Sequence, residues 1–403
     1  MAALSVLSRD IPEELPVLSA ASAAVVRATL PVVRDHAAEI TAEFYPSMFA
    51  AHPELLNLFN HGNQASGKQQ IALAAAVVAY AQHLLDGTPF GPIAERIAHK
   101  HVSLGVRPDQ YPIVGKHLIG AVATVLGDAV TPEVAAAWDE VYWLFAVSLI
   151  AAEARLFQAA GVSPDTLWRP WRVAKRDEEA VDTVSFTLVP DNGGPVPAFE
   201  PGQYVSVAVD LPDGHRQPRQ YSLSQAPGRS ELRITVRRVR GADGAPDGAV
   251  SNFLHDHVYT DDTVLLGPPS GEVTLEPGDR PVVLISAGIG ITPMLSMLDH
   301  IASTQPERTV VAVHAENSAN RHAHREEYAS LAGSQQMNWY ENGDEGGQAG
   351  RIDVDSISLP ANAIVHLCGP ITFMRDVRAG LLLRGVHADD IKYEVFGPGM
   401  LEN

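Results

Sequence analysis

Cysteine and positive charge are both scarce in this chain of 403 residues, in which Cys368 is the single cysteine. One cysteine cannot close a disulfide within the chain. The 29 Lys and Arg residues face 48 Asp and Glu residues, for a formal charge of −19. Nucleic-acid binding needs a basic surface, so we expect no nucleic-acid partner. With one cysteine and no visible signal peptide, we expect a protein of the reducing cytoplasm.

Long apolar runs are also missing. The longest lies around residues 141–152 and is interrupted by Glu153 and Arg155. A bilayer span needs roughly 20 consecutive apolar residues. The run therefore predicts a buried helix, and no stable membrane insertion is expected.

The chain contains three consecutive regions that differ in composition and hydrophobic pattern, as expected for its length. Residues 1–162 repeat apolar residues at three- and four-residue spacing, which predicts six to eight helices and no strand. Residues 163–277 alternate short β-rich runs with turn residues, as in TVSFTLVP and ELRITVRRVRG, and predict an antiparallel β-barrel. Residues 278–403 place apolar strands such as PVVLIS and NAIVHLCG between helical stretches, which predicts a parallel α/β sheet. The expected fold class is therefore multidomain: all-α, then β-barrel, then α/β.

The segment ERIAHKHVSLGV contains two histidines, His99 and His101. On a helix, His101 shares the apolar face of Ile97 and Leu104, whereas residues two apart differ by roughly 200°. We therefore expect His101 to point inward and His99 to face solvent. From the helix alone, His101 is either a hydrogen-bonded core residue or a haem ligand. The sequence has no CxxCH motif, which excludes covalently attached c-type haem.

The segment RQYSLS in the β-rich region is typical of flavin binding. Arg219 offers a planar fork for a pyrophosphate, Tyr221 a ring for the isoalloxazine and Ser222 a hydroxyl. Strand alternation predicts that Arg219 and Tyr221 share one face. Downstream, GAVSNFLHD predicts a helix start whose backbone N–H groups cradle phosphate. The alternative is a plain strand of alternating polarity.

The segment PVVLISAGIGITPML predicts a strand, a glycine turn and a helix that approach a second pyrophosphate. Pro293 stands where the third glycine of GxGxxG would be, which favours a reductase-type nucleotide domain over a Rossmann dehydrogenase. The later segment VHLCGP contains Cys368, and a catalytic thiol is the alternative there, but no base is placed to activate it.

Taken together, the chain resembles bacterial flavohaemoglobins over nearly its whole length. In the helical region the resemblance rests on AEFYPSMFAAHPELLNLFN, KQQIALAAAVVAYA, IAHKHVSLGVRPDQYPIVGKHL and AAEARLF. It implies a globin haem domain (1–162), an FAD-binding β-barrel (163–277) and an NAD(P)-binding α/β domain (278–403). The implied cofactors are haem b, FAD and NADH or NADPH.

The resemblance also assigns residues to the haem site. His101 becomes the proximal iron ligand, with Tyr111 and Glu153 as its hydrogen-bonding network. A carboxylate that accepts from His101 favours O₂ activation over storage. The residues assigned to the O₂ side are Tyr45 and Gln69, and those packed around the haem are Phe59, Leu73 and Lys100. Pro46 disfavours helical backbone at Tyr45, so the direction of the phenol is left open.

Further residues are assigned to the flavin and the nucleotide. The FAD-binding residues are Tyr204, Arg219, Gln220, Tyr221, Ser222, Gly248, Val250, Ser251, Glu394, Val395, Phe396, Gly397 and Pro398. The NAD(P)-binding residues are Gly288, Ile289, Gly290, Ile291, Thr292, Pro293, Cys368, Gly369 and Pro370. VHAENSANRHAHRE departs from the HGARN-like form associated with the family, which leaves the choice between NADH and NADPH open.

The activity that the resemblance implies is nitric oxide dioxygenation: NO and O₂ become nitrate at haem iron, with electrons passed from NAD(P)H through FAD. One alternative is a flavin-dependent reductase of ferric compounds, quinones or hydroperoxides. The other is an oxygen- or redox-sensing globin, against which the lack of a visible output domain counts. We expect a monomer, and a lipid in the haem pocket is left open.

Overall fold

The computed structural model describes residues 18–58, 68–241, 246–333, 336–343 and 346–397, with only the backbone of residues 68–71. The chain divides into two compact units. Unit 1 comprises Met1–Pro53, Gln70–Ala94 and Arg107–Ala152, and unit 2 comprises Glu54–Gln69, Glu95–Val106 and Glu153–Asn403. The three domain boundaries expected from the sequence stay a prediction.

The described parts of the first 160 residues are helical, as the apolar spacing predicts. Their described parts contain six α-helices: α1 Ala20–Asp35, α2 Ala37–Ala51, α3 Lys68–Asp86, α4 Gly91–Leu104, α5 Tyr111–Leu126 and α6 Pro132–Ala159. The Ser19 side chain accepts a hydrogen bond from the Ser22 backbone N–H and caps α1. In the core of unit 1, Tyr80 stacks on Phe145 with a centroid distance of 4.9 Å.

The longest of these helices, α6, contains the apolar run of residues 141–152. Among the described residues it alone is long and apolar enough to cross a bilayer by length and composition. Core helices of soluble proteins meet the same criterion, and Trp138, Val141 and Tyr142 are indeed buried. Glu153 does not end the helix, which continues to Ala159.

The next region forms a six-stranded antiparallel sheet of order β4-β3-β6-β1-β2-β5. Its strands are β1 Arg169–Ala180, β2 Thr183–Pro190, β3 Tyr204–Asp210, β4 Arg216–Ser222, β5 Leu232–Arg237 and β6 Thr263–Leu266, with helix α7 Ala249–His257 before β6. An antiparallel bridge between Leu223 and Ile234 joins the two outer strands. This bridge closes the sheet into the expected barrel around a buried apolar core.

The last region is a parallel sheet of order β10-β9-β8-β7-β11-β12. Its strands are β7 Val282–Ala287, β8 Val310–Glu316, β9 Gln336–Tyr340, β10 Gln348–Ala349, β11 Ile364–Cys368 and β12 Ile391–Glu394, and its helices are α8 Ile291–Thr304, α9 Arg325–Ala332 and α10 Ile371–Leu383. β7 lies between β8 and β11, so the strand order reverses there. Ligands of such sheets bind outside the carboxyl end of the strands at this reversal.

Candidate functional site

His101 and Glu153 form a close pair in unit 2. Nδ1 of His101 lies 2.7 Å from Oε1 of Glu153, and Glu153 is only 2% exposed. A carboxylate can only accept, so Nδ1–H of His101 is the donor. Iron coordination by His101 would therefore fall to Nε2. Glu153 is thus a buried partner of His101 and not a surface residue near the end of a helix.

His99 is half-buried rather than solvent-facing, so the prediction for this residue is wrong. The backbone N–H of Gly271 donates to its Nδ1 at 3.1 Å, and burial lowers the pKa of its imidazole. Nearby, Nε of Arg96 donates to Oε1 of Glu272 at 2.7 Å. The polar face of α4 is therefore covered by a loop that lies 172 residues later in the chain. The order of polar and apolar residues along the helix does not reveal this contact.

Tyr45 is buried in unit 1 on α2, which continues through Pro46. Its ring meets Phe44 edge-on at 4.7 Å and stacks on Phe49 at 5.8 Å. Burial raises the pKa of its phenol, which keeps the hydroxyl protonated and able to donate.

Only some of the other residues assigned to the haem site lie in the described part of the chain. Leu73 is half-buried on α3. Tyr111 is buried at the start of α5, and its carbonyl accepts from the Tyr142 hydroxyl at 2.5 Å. Phe59 and the side chain of Gln69 lie outside the described residues.

Lys100 points its ammonium at the flavin-type strand β4. Nζ donates to Oε1 of Gln220 at 2.6 Å, and Nε2 of Gln220 donates to the hydroxyls of Ser103 and Ser206, each at 3.3 Å. Burial lowers the pKa of Lys100 to about 8, against the attraction of Glu394. Its assignment to the haem pocket stays a prediction, and its observed partner is a residue of the barrel.

The flavin motif has the predicted strand geometry. In the β3–β4 register Val207 lies opposite Arg219 and Val205 opposite Tyr221, so Arg219 and Tyr221 share one face. Tyr204 and Ser222 lie opposite each other on the other face.

The phosphate-type motif begins a helix, as predicted. Gly248 is the N-cap of α7, and Val250 and Ser251 lie in its first turn. The Ser251 hydroxyl accepts from the backbone N–H of Val239 at 3.1 Å. The backbone N–H groups of this first turn are suited to a phosphate.

The glycine turn after β7 and the loop after β11 touch each other. A Cβ on Gly290 would lie 2.4 Å from the carbonyl oxygen of Cys368, and one on Gly369 would lie 3.1 Å from Cβ of Ala287. Gly288 has a φ of +58°, where a side chain is strained. The two segments predicted to bind the nucleotide therefore lie side by side at the strand reversal. Ile289, Ile291, Thr292, Pro293 and Pro370 belong to the same turn and loop.

Cys368 is fully buried, and burial raises the pKa of its thiol well above the usual value. A reactive cysteine needs the thiolate. The structure thus argues against the catalytic-thiol alternative.

Glu394 ends β12 directly opposite Cys368 of β11. Burial and the nearby Glu272 raise the pKa of Glu394 to about 7, against the attraction of Arg96 and Lys100. The chain continues through Val395, Phe396, which is 47% exposed, and Gly397. Pro398 lies outside the described residues.

No group of three or more His, Cys, Asp or Glu side chains that could hold a bare metal ion occurs in the described part of the chain. A single histidine such as His101, whose Nδ1 is already hydrogen-bonded, instead suits a metal that is held by a macrocycle.

Comparison with known proteins identifies two domain families in the chain. The Globin family model matches residues 42–148, and the Oxidoreductase NAD-binding domain model matches residues 284–379. The flavohaemoprotein of Bordetella parapertussis is 44% identical over 397 residues, covering 93% of this chain and 98% of the relative. That of Chromobacterium violaceum is 45% identical over 399 residues, covering 94% and 98%.

The chain belongs to the flavohaemoprotein family. The solved flavohaemoglobin of Malassezia yamatoensis, with bound FAD and haem, superposes with a TM-score of 0.86 at 33% identity, covering 95% of this chain and 100% of that one. The FAD/NAD-binding domain of a Vibrio cholerae nitric oxide dioxygenase superposes with a TM-score of 0.55 at 39% identity, covering 58% and 100%.

Several polar residues of this flavohaemoprotein's site escape prediction from the motifs. Arg96 and Glu272 flank Glu394, and Ser103 and Ser206 hold Gln220. Each contact joins segments far apart in sequence, so no local pattern marks it. The only sequence pattern that could indicate these contacts is the row of polar residues on one face of α4. A face exposed to solvent would show the same pattern.

Proposed function

We propose that this flavohaemoprotein is a nitric oxide dioxygenase that converts NO and O₂ to nitrate, with electrons from NAD(P)H. The observation that carries the proposal is the hydrogen bond from His101 to the buried Glu153, in a chain that also contains a flavin-type strand and a nucleotide turn. The chain is an NAD(P)H oxidoreductase by family. An oxygen carrier would need no such reductase.

The residues of the helical part fit a haem. Haem iron supplies single-electron chemistry and binds diatomic gases. His101 would hold it, while Glu153 would fix the tautomer and the orientation of the imidazole. Tyr45 would donate a hydrogen bond to the O₂ side, because its buried phenol keeps its proton. A simple ferric or quinone reductase has no use for such a donor.

The barrel and the parallel sheet fit FAD and a nicotinamide nucleotide. Arg219 and the start of α7 would take the FAD pyrophosphate. The Gly288–Gly290 turn and Cys368 loop would take the nucleotide at the strand reversal. Flavin chemistry splits a two-electron hydride into single electrons. The balanced reaction is then two NO, two O₂ and one NAD(P)H giving two nitrate, one NAD(P)⁺ and one proton.

The test is NO consumption by the purified holoprotein with NADH, with and without O₂. We expect NO loss to require O₂ and nitrate to form at two per nucleotide oxidised. Equal NO loss without O₂ would contradict dioxygenation, and nucleotide oxidation that ignores NO but follows added ferric compounds or quinones would favour the reductase. We expect the reaction to serve NO detoxification in the cytoplasm of a microbe.

A further inference from the structure

Arg96 on α4 contacts both the flavin-type barrel and the last strand of the parallel sheet. Its Nε donates to Oε1 of Glu272, in the loop after β6, at 2.7 Å. Its guanidinium carbon also lies 5.2 Å from the centre of the Tyr393 ring on β12, within the range of a cation–π contact. The Arg96 side chain is 30% exposed and that of Glu272 is 14% exposed, so water screens this ion pair only in part. One side chain thus joins a helix, a barrel loop and a strand.

The loop that receives Arg96 is bound to the flavin-type strands. Ser270 and Tyr204, the first residue of β3, exchange two backbone hydrogen bonds of 2.9 Å each. A Cβ on Gly271 would lie 3.1 Å from the Tyr204 ring, so the backbone of Gly271 packs directly against this ring. Glu272, the partner of Arg96, is the next residue of the chain. The ion pair therefore lies beside Tyr204, which is one of the residues assigned to FAD.

The positive charge of Arg96 acts on two residues assigned to FAD. Burial and then Glu272 raise the pKa of Glu394, and Arg96 counteracts them. Burial and then Glu394 raise the pKa of the Tyr204 phenol, and Arg96 again counteracts them. Arg96 therefore balances the negative charge of Glu272 at the place where the flavin ring is expected.

Reduction of a flavin adds negative charge to its ring, so a nearby positive charge favours the reduced form. We propose that Arg96 is a positioning residue for the flavin, which holds Glu272 and the end of β12 in place and makes the flavin easier to reduce. His101 lies roughly 140° further round α4, so the proposed iron ligand is on a different face of the same helix. The proposal rests on FAD as a cofactor and not on NO as a substrate, so it goes beyond the proposed function.

The first test measures the midpoint potential of the flavin in the holoprotein at about pH 8.5, above the pKa of about 7 of Glu394. Arg96→Met keeps a long side chain without the charge and should lower the potential. A unit charge at roughly 10 Å, with an effective dielectric constant of about 20, changes the equilibrium constant against a reference dye by roughly tenfold. Arg172→Met removes an arginine from an exposed ion pair with Asp261 and should leave the potential unchanged. An unchanged potential in Arg96→Met overturns the proposal.

The second test uses the partner of Arg96. Glu272→Gln removes the carboxylate and leaves the cation, so it should raise the potential. The double variant Arg96→Met/Glu272→Gln loses both charges and should return close to the wild-type value. A general loosening of the loop would move all three variants in the same direction, and that result overturns the proposal. Arg96→Lys keeps the charge and should retain most of the wild-type potential, which provides a test if Arg96→Met does not fold.

Resonance Raman of the same variants separates the flavin from the haem. The iron–histidine stretch of Arg96→Met should keep the wild-type frequency, because the contact between His101 and Glu153 lies on a different face of α4. A changed stretch with an unchanged flavin potential would assign Arg96 to the haem and overturn the proposal. A holoprotein that shows the flavin shift but forms no nitrate would contradict the proposed function and not the role of Arg96.

Discussion

Nδ1 of His101 on α4 lies 2.7 Å from Oε1 of Glu153, 52 residues later on α6. The carboxyl group of Glu153 is buried, so little water competes for this hydrogen bond. The contact orients the imidazole and fixes the tautomer in which Nδ1 carries the proton, which suits the proposed iron ligand.

Replacing Glu153 by Gln should leave the haem bound but weaken its bond to His101, because the acceptor of the imidazole proton becomes neutral. Resonance Raman should show the iron–histidine stretch at lower frequency. Glu133→Gln, in the first turn of the same helix, is the matched control and should not shift it. The same frequency in all three proteins would exclude Glu153 from the ligand's network.

Replacing Tyr45 by Phe should speed O₂ dissociation, because it removes a donor from the O₂ side of the site. A hydrogen bond to a charged group is worth roughly 1.5–3 kcal/mol, or about ten- to a hundred-fold in rate. Stopped-flow measurement of the O₂ off-rate checks this. Tyr80→Phe removes the hydroxyl of another buried tyrosine of unit 1 and should have little effect. An unchanged off-rate in Tyr45→Phe would mean that the phenol does not reach O₂.

The variants His101→Ala and His99→Ala should show that flavin reduction does not depend on the haem. His101→Ala should abolish NO dioxygenation and spare NADH-driven reduction of cytochrome c, since the flavin and nucleotide motifs lie beyond residue 165. His99→Ala should keep the haem but lower stability, because the buried N–H of Gly271 loses its acceptor at a cost of about 1–3 kcal/mol. Both activities and thermal unfolding are measured on one preparation of each variant. If His99→Ala loses the haem while His101→Ala keeps it, the iron ligand is His99 and not His101.

Replacing Gly290 by Ala should slow reduction of the flavin by NADH. The new methyl group would lie 2.4 Å from the carbonyl oxygen of Cys368 and push the glycine turn and the Cys368 loop apart. Gly120→Ala is the control, because a Cβ there meets nothing within 4 Å and alanine favours the helix. Anaerobic stopped-flow reduction should be slower in the first variant alone, and equal rates would place the nucleotide elsewhere.

The pH dependence of stability should report on Glu394. Its pKa is raised from 4.5 to about 7 in the folded protein, mainly by burial. Between these values the folded state binds more protons than the unfolded state, so this group's contribution to stability is lost as pH rises toward 7. Glu394→Gln cannot titrate, and its Tm relative to wild type should rise from pH 5 to pH 8. For Glu307→Gln on the surface, the difference in Tm from the wild type should stay constant across this pH range. A constant difference for Glu394→Gln would mean that the carboxyl of Glu394 stays ionised throughout.

Local features of the site follow from the sequence. Alternation in β4 predicts the common face of Arg219 and Tyr221, and a glycine before an amphipathic stretch predicts the start of α7 at Gly248. The change from helical spacing to β-rich runs predicts the order of the three regions. These features depend on neighbours a few residues away, so a pattern in the chain carries them.

The sequence by itself determined the architecture and the order of the modules, because periodicity and turn chemistry are short-range properties. The tertiary structure decided which loop covers His99, which strand receives the ammonium of Lys100 and how far the pKa of Glu394 rises. Each depends on burial by segments 120 residues or more away. Desolvation and charge act through space, and no spacing along the chain records them.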